Sequence, residues 1–320
     1  MITQFKNTAK ALIHLGHCGT AILDKIYSDQ NARMNRPPVF ILGPPRSGTT
    51  ILYQSLIHSY QFSYITNLAN RFYMCPVFAN LLALRFFGRY RSSFDSRYGF
   101  EKGLSSPSES GNIWNRWFPQ EKRDGYNYTP EGFLKPESQK QVVNIMSNLE
   151  NRDKTPLLIK NGKSGVRLQV LKDIFPKALF IRIHRNPVDI ASSILVKRRR
   201  SNQDWWSVMP KEIDKIRDRG EFEEVVLQVY YIEKNLDTDL RLFPEGNTLS
   251  LHYRDLCGNP GQQLEKIGQF LQAKGYPLQR SANPLPGSLK YAEAVGNQHI
   301  RQKEIEHIRQ LTENIFQNDR

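Results

Sequence analysis

Val39-Phe-Ile-Leu-Gly-Pro-Pro-Arg-Ser-Gly-Thr-Thr-Ile-Leu-Tyr-Gln-Ser-Leu-Ile57 is the stretch that decides the fold. Val39 to Leu42 is an apolar run that reads as a buried strand, and Ile51 to Ile57 has the apolar spacing of a helix. Between them lies a glycine-bounded loop, Gly43-Pro-Pro-Arg-Ser-Gly-Thr-Thr50. A strand, such a loop and a helix N-terminus make an anion cradle. Successive backbone N–H groups point inward, with the positive end of the helix dipole behind them. Gly43 and Gly48 are five apart and Thr50 holds the hydroxyl position, which is the outer spacing of a nucleotide phosphate loop. Where such a loop carries the lysine that grips a triphosphate, this chain has Thr49, and the nearby cation is Arg46. The loop therefore reads as a holder of a phosphate-like group other than an ordinary nucleoside triphosphate. A plain Gly/Pro turn between strand and helix is the competing reading.

The second informative segment is Ile181-Arg-Ile-His-Arg-Asn-Pro-Val-Asp-Ile-Ala-Ser-Ser193. Arg185 sits just past the carboxyl end of a strand, where open α/β sheets bind ligands. Ser193 lies eight residues on, in a helix that Pro187 opens. A guanidinium gives a phosphate two parallel N–H bonds and a serine hydroxyl adds a third donor. Taken singly, Arg185 also reads as a surface ion-pair partner and Ser193 as an ordinary helix serine. Further strands are expected at about 157–160, 179–184 and 248–252, and helices at 165–175, 187–199, 221–242, 260–271 and 298–316. Strands alternating with helices imply parallel pairing and right-handed crossovers.

Together and in this order, the two segments resemble the sulfotransferases that use 3′-phosphoadenosine 5′-phosphosulfate, nearest the bacterial, glycan and tyrosyl-protein branches. The resemblance covers about 36–60 and 155–275. It implies an α/β fold, a single domain over 1–320 with a central parallel sheet flanked by helices, like that of the P-loop NTPases. Residues 60–155 would then be a helical and loop insertion forming the acceptor side. It also implies that Pro45, Arg46, Ser47, Gly48, Thr49 and Thr50 hold the 5′-phosphosulfate, and that Arg185 and Ser193 hold the 3′-phosphate. Leu249-Ser-Leu-His-Tyr-Arg-Asp-Leu-Cys-Gly-Asn-Pro260 is similar to the family's late strand and turn, which puts Tyr253 near the 3′-phosphate or ribose. Arg254 departs from the glutamate common there.

The implied reaction is in-line attack of an acceptor hydroxyl or amine on sulfur, with 3′-phosphoadenosine 5′-phosphate as product. Arg46 and the loop N–H groups would stabilise the charge growing on the bridging oxygen, with no divalent metal required. Lys160 ends a strand and would contact the sulfonate, with Lys163 as a second candidate and a solvated strand-end lysine as the plain alternative. Cytosolic members carry Lys-Thr-His here, whereas this chain has Lys160-Asn-Gly162, so the base must come from elsewhere. Glu109, in a polar loop before Trp114, Trp117 and Phe118, is the candidate base; His58, His184 and His252 are rivals.

At 320 residues the chain has room for one large α/β domain or two small ones. No stretch approaches the ~18–20 apolar residues of a membrane span, and the N-terminal 36 residues do not look like a signal peptide. Cys18, Cys75 and Cys257 form no metal or disulfide spacing, which suits a reducing cytoplasm. A balance of 45 basic to 31 acidic residues, net +14, favours anionic ligands. Lys197-Arg-Arg-Arg200 reads first as a solvated helix end and second as an acidic-acceptor or membrane contact. Trp205 and Trp206 either cover a ligand or pack. A P-loop kinase or NTPase is disfavoured by Thr49, and a basic nucleic-acid-binding protein leaves the cradle and the Arg185/Ser193 pair unexplained. The expected partner is a small-molecule, glycan or lipid acceptor, with no nucleic acid and at most peripheral membrane contact.

Overall fold

An apolar run with no polar alternation belongs to a strand covered on both faces, and Val39–Leu42 (β1) is buried at all four positions. In the computed structural model, which describes residues 21–92, 94, 102–118, 128–153, 155–276, 278–293 and 298–317, β1 lies inside a four-stranded sheet. Cys18, the turn at Gly99 and the apolar patch at 9–15 lie outside the described residues. The other strands are β2 (Leu158–Lys160), β3 (Leu179–His184) and β4 (Thr248–His252), in the order β2-β1-β3-β4. All three pairings are parallel, with Ile41 opposite both Lys160 and Ile181. The expected fold class and strand positions are therefore observed.

Helices supply the crossovers. They are α1 (Thr49–Ser59), α2 (Asn67–Arg71), α3 (Pro76–Phe87), α4 (Gly111–Trp114), α5 (Pro136–Asp153) and α6 (Leu168–Ile174). After β3 come α7 (Pro187–Ser201), α8 (Ile213–Ile216) and α9 (Glu221–Leu240), and after β4 come α10 (Tyr253–Gly258), α11 (Pro260–Ala273) and α12 (Gln302–Gln317). Among the described residues no helix is long and apolar enough to cross a membrane. The two-residue period of a strand sends Phe40 and Phe180 to one face and Ile41 and Ile181 to the other. Phe40 and Phe180 stack at 5.9 Å, and Phe243 meets Phe180 edge-on at 4.5 Å. A third apolar cluster, built from Ile194, Val229 and Ile308, holds α12 against α7 and α9.

Three sequence expectations need correction in detail. The helix expected over 165–175 is a 3₁₀ turn, Ser164–Val166, followed by α6. Gly165 is pressed against α9, where an added Cβ would meet Leu236 Cδ2 at 2.9 Å. The helix expected from 298 starts at Gln302, where the Glu304 carboxylate accepts the Arg301 N–H at 2.7 Å as a cap. The turn after β4 is the short helix α10.

The basic run at the end of α7 is largely structural. Arg198 donates to Glu224 at 2.8 Å and to Gln228 at 3.0 Å, and Arg199 pairs with Glu221 and Glu304. Trp205 lies under the Arg198 guanidinium at 4.6 Å, and the Trp206 carbonyl accepts from Gln228 at 3.0 Å. Both tryptophans pack, as the plainer of the two readings expects. Removing the aromatic spine of the sheet tests this account of the core. Phe180→Ala should cost about 3–5 kcal/mol in urea unfolding and Phe180→Leu much less; equal losses would mean that the ring contacts, and not side-chain volume, set the cost.

Candidate functional site

The loop after β1 is shaped by two residues with positive φ. Arg46 adopts φ 71°, a left-handed conformation uncommon outside glycine, and Gly48, the N-cap of α1, adopts φ 104°. Gly48 has a second constraint, since a Cβ there would lie 2.4 Å from Tyr253 Cδ2. The Tyr253 ring, just past β4, thus lies directly against the start of α1.

The left-handed turn at Arg46 gives both its backbone and its side chain a role. Its Nε donates to Ser193 Oγ at 2.9 Å, while its carbonyl accepts from Arg185 Nη1 at 2.6 Å. The other arm of Arg185 donates to the Ala292 carbonyl, and its guanidinium lies over the Tyr253 ring at 4.8 Å. The structure therefore brings Arg46, Ser47, Gly48, Arg185, Ser193 and Tyr253 together at the carboxyl edge of β1, β3 and β4. Pro45, Thr49 and Thr50 are half-buried on the same loop. The edge is rich in donors. Ser47 is fully buried with no partner for its hydroxyl, Arg185 Nε is likewise unpartnered, and no carboxylate among the described residues pairs with Arg185. Orphaned donors around an unpaired cation fit an oxyanion such as a phosphate.

The second cluster lies on the β2 side. Lys160 is 5% exposed; its Nζ donates to Thr50 Oγ1 at 3.1 Å and forms an ion pair with Glu109. Asn161 Nδ2 holds the Glu109 carbonyl at 2.6 Å. The backbone turns sharply at Ser110, φ 53°, before α4 carries Trp114 into the core. Glu109, Lys160 and the phosphate-type loop thus meet in one chain of contacts.

Two of the three rival bases, His58 and His184, make hydrogen bonds of their own. His58 accepts the Ser92 N–H on Nδ1 at 3.1 Å, which leaves its proton on Nε2, facing the Pro284 carbonyl at 3.1 Å. Both ring nitrogens are used, so His58 holds the end of α1 in place. His184 lies 5.7 Å from His252 and hydrogen-bonds Ser250 at 3.2 Å. Burial, then the charges of Arg182 and His252, push its pKa down to about 4. Both histidines line a cavity of about 340 Å³ with Arg185, Arg254, Tyr291 and Arg309, on the opposite side of β1 from Glu109. Arg254 lies over the Tyr291 ring at 5.6 Å.

Sequence reasoning missed the segment 289–293. It crosses the Arg185 side through the Ala292 carbonyl and through Tyr291, whose ring is 5.0 Å from that of Tyr253. No motif marks it; only its place after the last matched strand is suggestive.

A sequence model described as "Sulfotransferase family" matches residues 37–277. Two curated proteins named omega-hydroxy-beta-dihydromenaquinone-9 sulfotransferase Stf3, from Mycobacterium bovis and Mycobacterium tuberculosis, are each 23% identical over 253 residues. The match spans 73% of this chain and 62% of each relative, less than two thirds of their length. The crystal structure of sulfotransferase STF1 from Mycobacterium tuberculosis H37Rv superposes with a TM-score of 0.52 at 12% identity, covering 93% of this chain and 81% of that one. That of STF9 from Mycobacterium avium gives 0.51 at 14% identity, covering 88% and 76%. At such identities the structural likeness shows the fold.

Two outcomes are expected from this geometry. Gly48→Ala should destabilise by about 2 kcal/mol or more, because it adds left-handed strain and a clash with Tyr253. Gly258→Ala, whose Cβ would meet nothing within 4 Å, should stay near wild type. The second concerns acid. His184 binds its proton less readily folded than unfolded, so its contribution is full above about 6.5 and is lost as pH falls toward about 4. Stability difference curves between wild type and His184→Asn should diverge only in that window, and parallel curves would contradict the assignment.

Proposed function

The chain belongs to the sulfotransferase family, and from that premise we propose that it moves a sulfuryl group from 3′-phosphoadenosine 5′-phosphosulfate to the hydroxyl of a small-molecule, glycan or lipid acceptor. The observation that carries the reading is the contact chain Glu109–Lys160–Thr50, which ties a carboxylate and a cation to the rim of the phosphate-type loop. In this reading the loop residues Pro45 to Thr50 hold the 5′-phosphosulfate. Arg185, Ser193 and Tyr253 hold the 3′-phosphate and ribose. When bound, the donor supplies the sulfuryl group and a nucleotide phosphate as leaving group. Arg46 and Lys160 supply positive charge where negative charge grows, in a site whose donors are already oriented. Glu109 takes the proton of the acceptor hydroxyl, and Lys160 and Asn161 fix where that carboxylate stands.

Residues 60–155 form the acceptor side of one sulfotransferase domain, 1–320. Trp114, Trp117 and Phe118 pack in the core, and the names of the mycobacterial relatives favour a lipid-like acceptor. A reducing cytoplasm suits Cys75 and Cys257, which are buried and unbridged.

Thermal shift separates this reading from its rivals: 3′-phosphoadenosine 5′-phosphate should stabilise the protein, while ATP with magnesium and duplex DNA should not. Arg185→Ala should weaken nucleotide binding by about 2–4 kcal/mol and Ser193→Ala by about 1 kcal/mol. Both should lose the preference for a 3′-phosphate, and equal losses with and without that phosphate would refute the assignment. Glu109→Gln should slow transfer by about 10²–10⁴-fold while leaving the nucleotide dissociation constant within a few-fold. Retention of more than about a tenth of the rate would place the base elsewhere.

A further inference from the structure

Among the described residues, buried arginines come with carboxylates, with one exception. Arg182 pairs with Glu233 and Asp237, and Arg198 with Glu224. Arg167 is buried to the same degree, at 5% exposure, yet no side-chain hydrogen bond or ion pair forms from it among the described residues. Its guanidinium lies over the Phe118 ring, 4.3 Å from the centroid. A ring face returns only part of what a cation loses on leaving water. Burial alone pulls the guanidinium down to about 10, with no opposing negative charge to hold it up.

Two further donors lie close by. The Lys163 ammonium is half-buried, without a hydrogen bond among the described residues, and its pKa is lowered first by burial and then by the charge of Arg167. Trp114 Nε1 is buried and unpartnered, and its ring lies 6.1 Å from that of Phe118. Phe133, 49% exposed, stacks on Phe118 at 5.9 Å. Among the described residues, the region thus offers donors and aromatic faces but no hydrogen-bond acceptor paired with the buried cation.

Its place along the chain gives that imbalance a use. Lys160, Lys163 and Arg167 lie on one short segment leaving β2. A Cβ on Gly162 would stand 3.5 Å from Glu109 Oε2, so the segment passes beside the carboxylate before turning through Ser164–Val166 to Arg167. We propose that Arg167, with Lys163, is a carboxylate-binding subsite for the acceptor, which carries a carboxylate as well as the hydroxyl that is sulfated. A carboxylate takes two parallel N–H bonds from one guanidinium, which a monatomic anion such as chloride cannot do. The inference rests on Glu109 marking the acceptor side.

The test needs no turnover. Thermal denaturation in chloride buffer would use phenylacetate and its uncharged isostere phenylacetamide as probes, at concentrations near ten times the wild-type dissociation constant. Phenylacetate should raise the wild-type midpoint by about 2 °C and phenylacetamide should not. Arg167→Met should abolish that response, and without probe it should melt no lower than wild type because an unpaired buried charge has been removed. Lys163→Met, at a half-exposed position, should weaken phenylacetate binding severalfold. No wild-type response, a response that survives in Arg167→Met, or a lowered Arg167→Met midpoint would each overturn the proposal in favour of a packing role. In parallel, 3′-phosphoadenosine 5′-phosphate should stabilise wild type and Arg167→Met alike. Failure of that arm counts against the sulfuryl-transfer reading and leaves the carboxylate result standing.

Discussion

Parallel pairing of β1 with β3 is the constraint on which the rest depends. With Leu42 opposite Arg182, the residues that follow each strand emerge at the same edge of the sheet. The loop at 43–48 and Arg185 can then meet, and the Arg46 carbonyl accepts the guanidinium at 2.6 Å. An antiparallel partner would have delivered Arg185 to the far end. The aromatic packing of Phe40, Phe180 and Phe243 on one face and the aliphatic packing on the other hold that register, because a one-residue slip would exchange the two faces.

The same edge concentrates charge that the protein itself leaves unbalanced. Arg182 and Arg198, away from the edge, are neutralised by carboxylates, and they serve packing between α9, β3 and α7. Among the described residues, Arg185 meets carbonyls and a ring, and Arg167 a ring alone. Lys160 is intermediate, paired with Glu109 yet also bonded to the loop through Thr50. Paired arginines hold the fold together, while Arg185 and Arg167 have no carboxylate partner among the described residues.

Much of this was legible before any coordinates. Local signals did most of it: the buried strand, the two glycines, and Pro187 opening a helix after a strand end. They placed four strands and the loop because each depends on residues within a few positions of one another. The stretch from 60 to 155 was opaque, since its helices lack a strand-helix rhythm and its contacts are long-range. Glu109 could be singled out as a carboxylate beside aromatics, but its pairing with Lys160 spans 51 positions and no local pattern encodes it. His58 read as a rival base, and the sequence could not show that both ring nitrogens are engaged by Ser92 and Pro284, both far from it along the chain. Arg167 sits in an apolar helical pattern, where the sequence shows a charge but not the absence of its partner.

The segment 289–293 has a consequence for how the protein is made. A ribosome releases the chain from its N-terminus, so the loop around Arg46 emerges first. Its partner Ser193 is 147 positions later, and the Ala292 carbonyl is another 107 beyond Arg185. Leu289 N–H then bonds the Cys257 carbonyl at 2.7 Å, and Glu304 pairs with Arg199 to seat α12. The edge around Arg185 is thus finished by residues made about a hundred positions after the arginine itself. A nascent chain can build its sheet and still lack the strap beside Arg185, so the sheet and this edge are completed at different stages of synthesis.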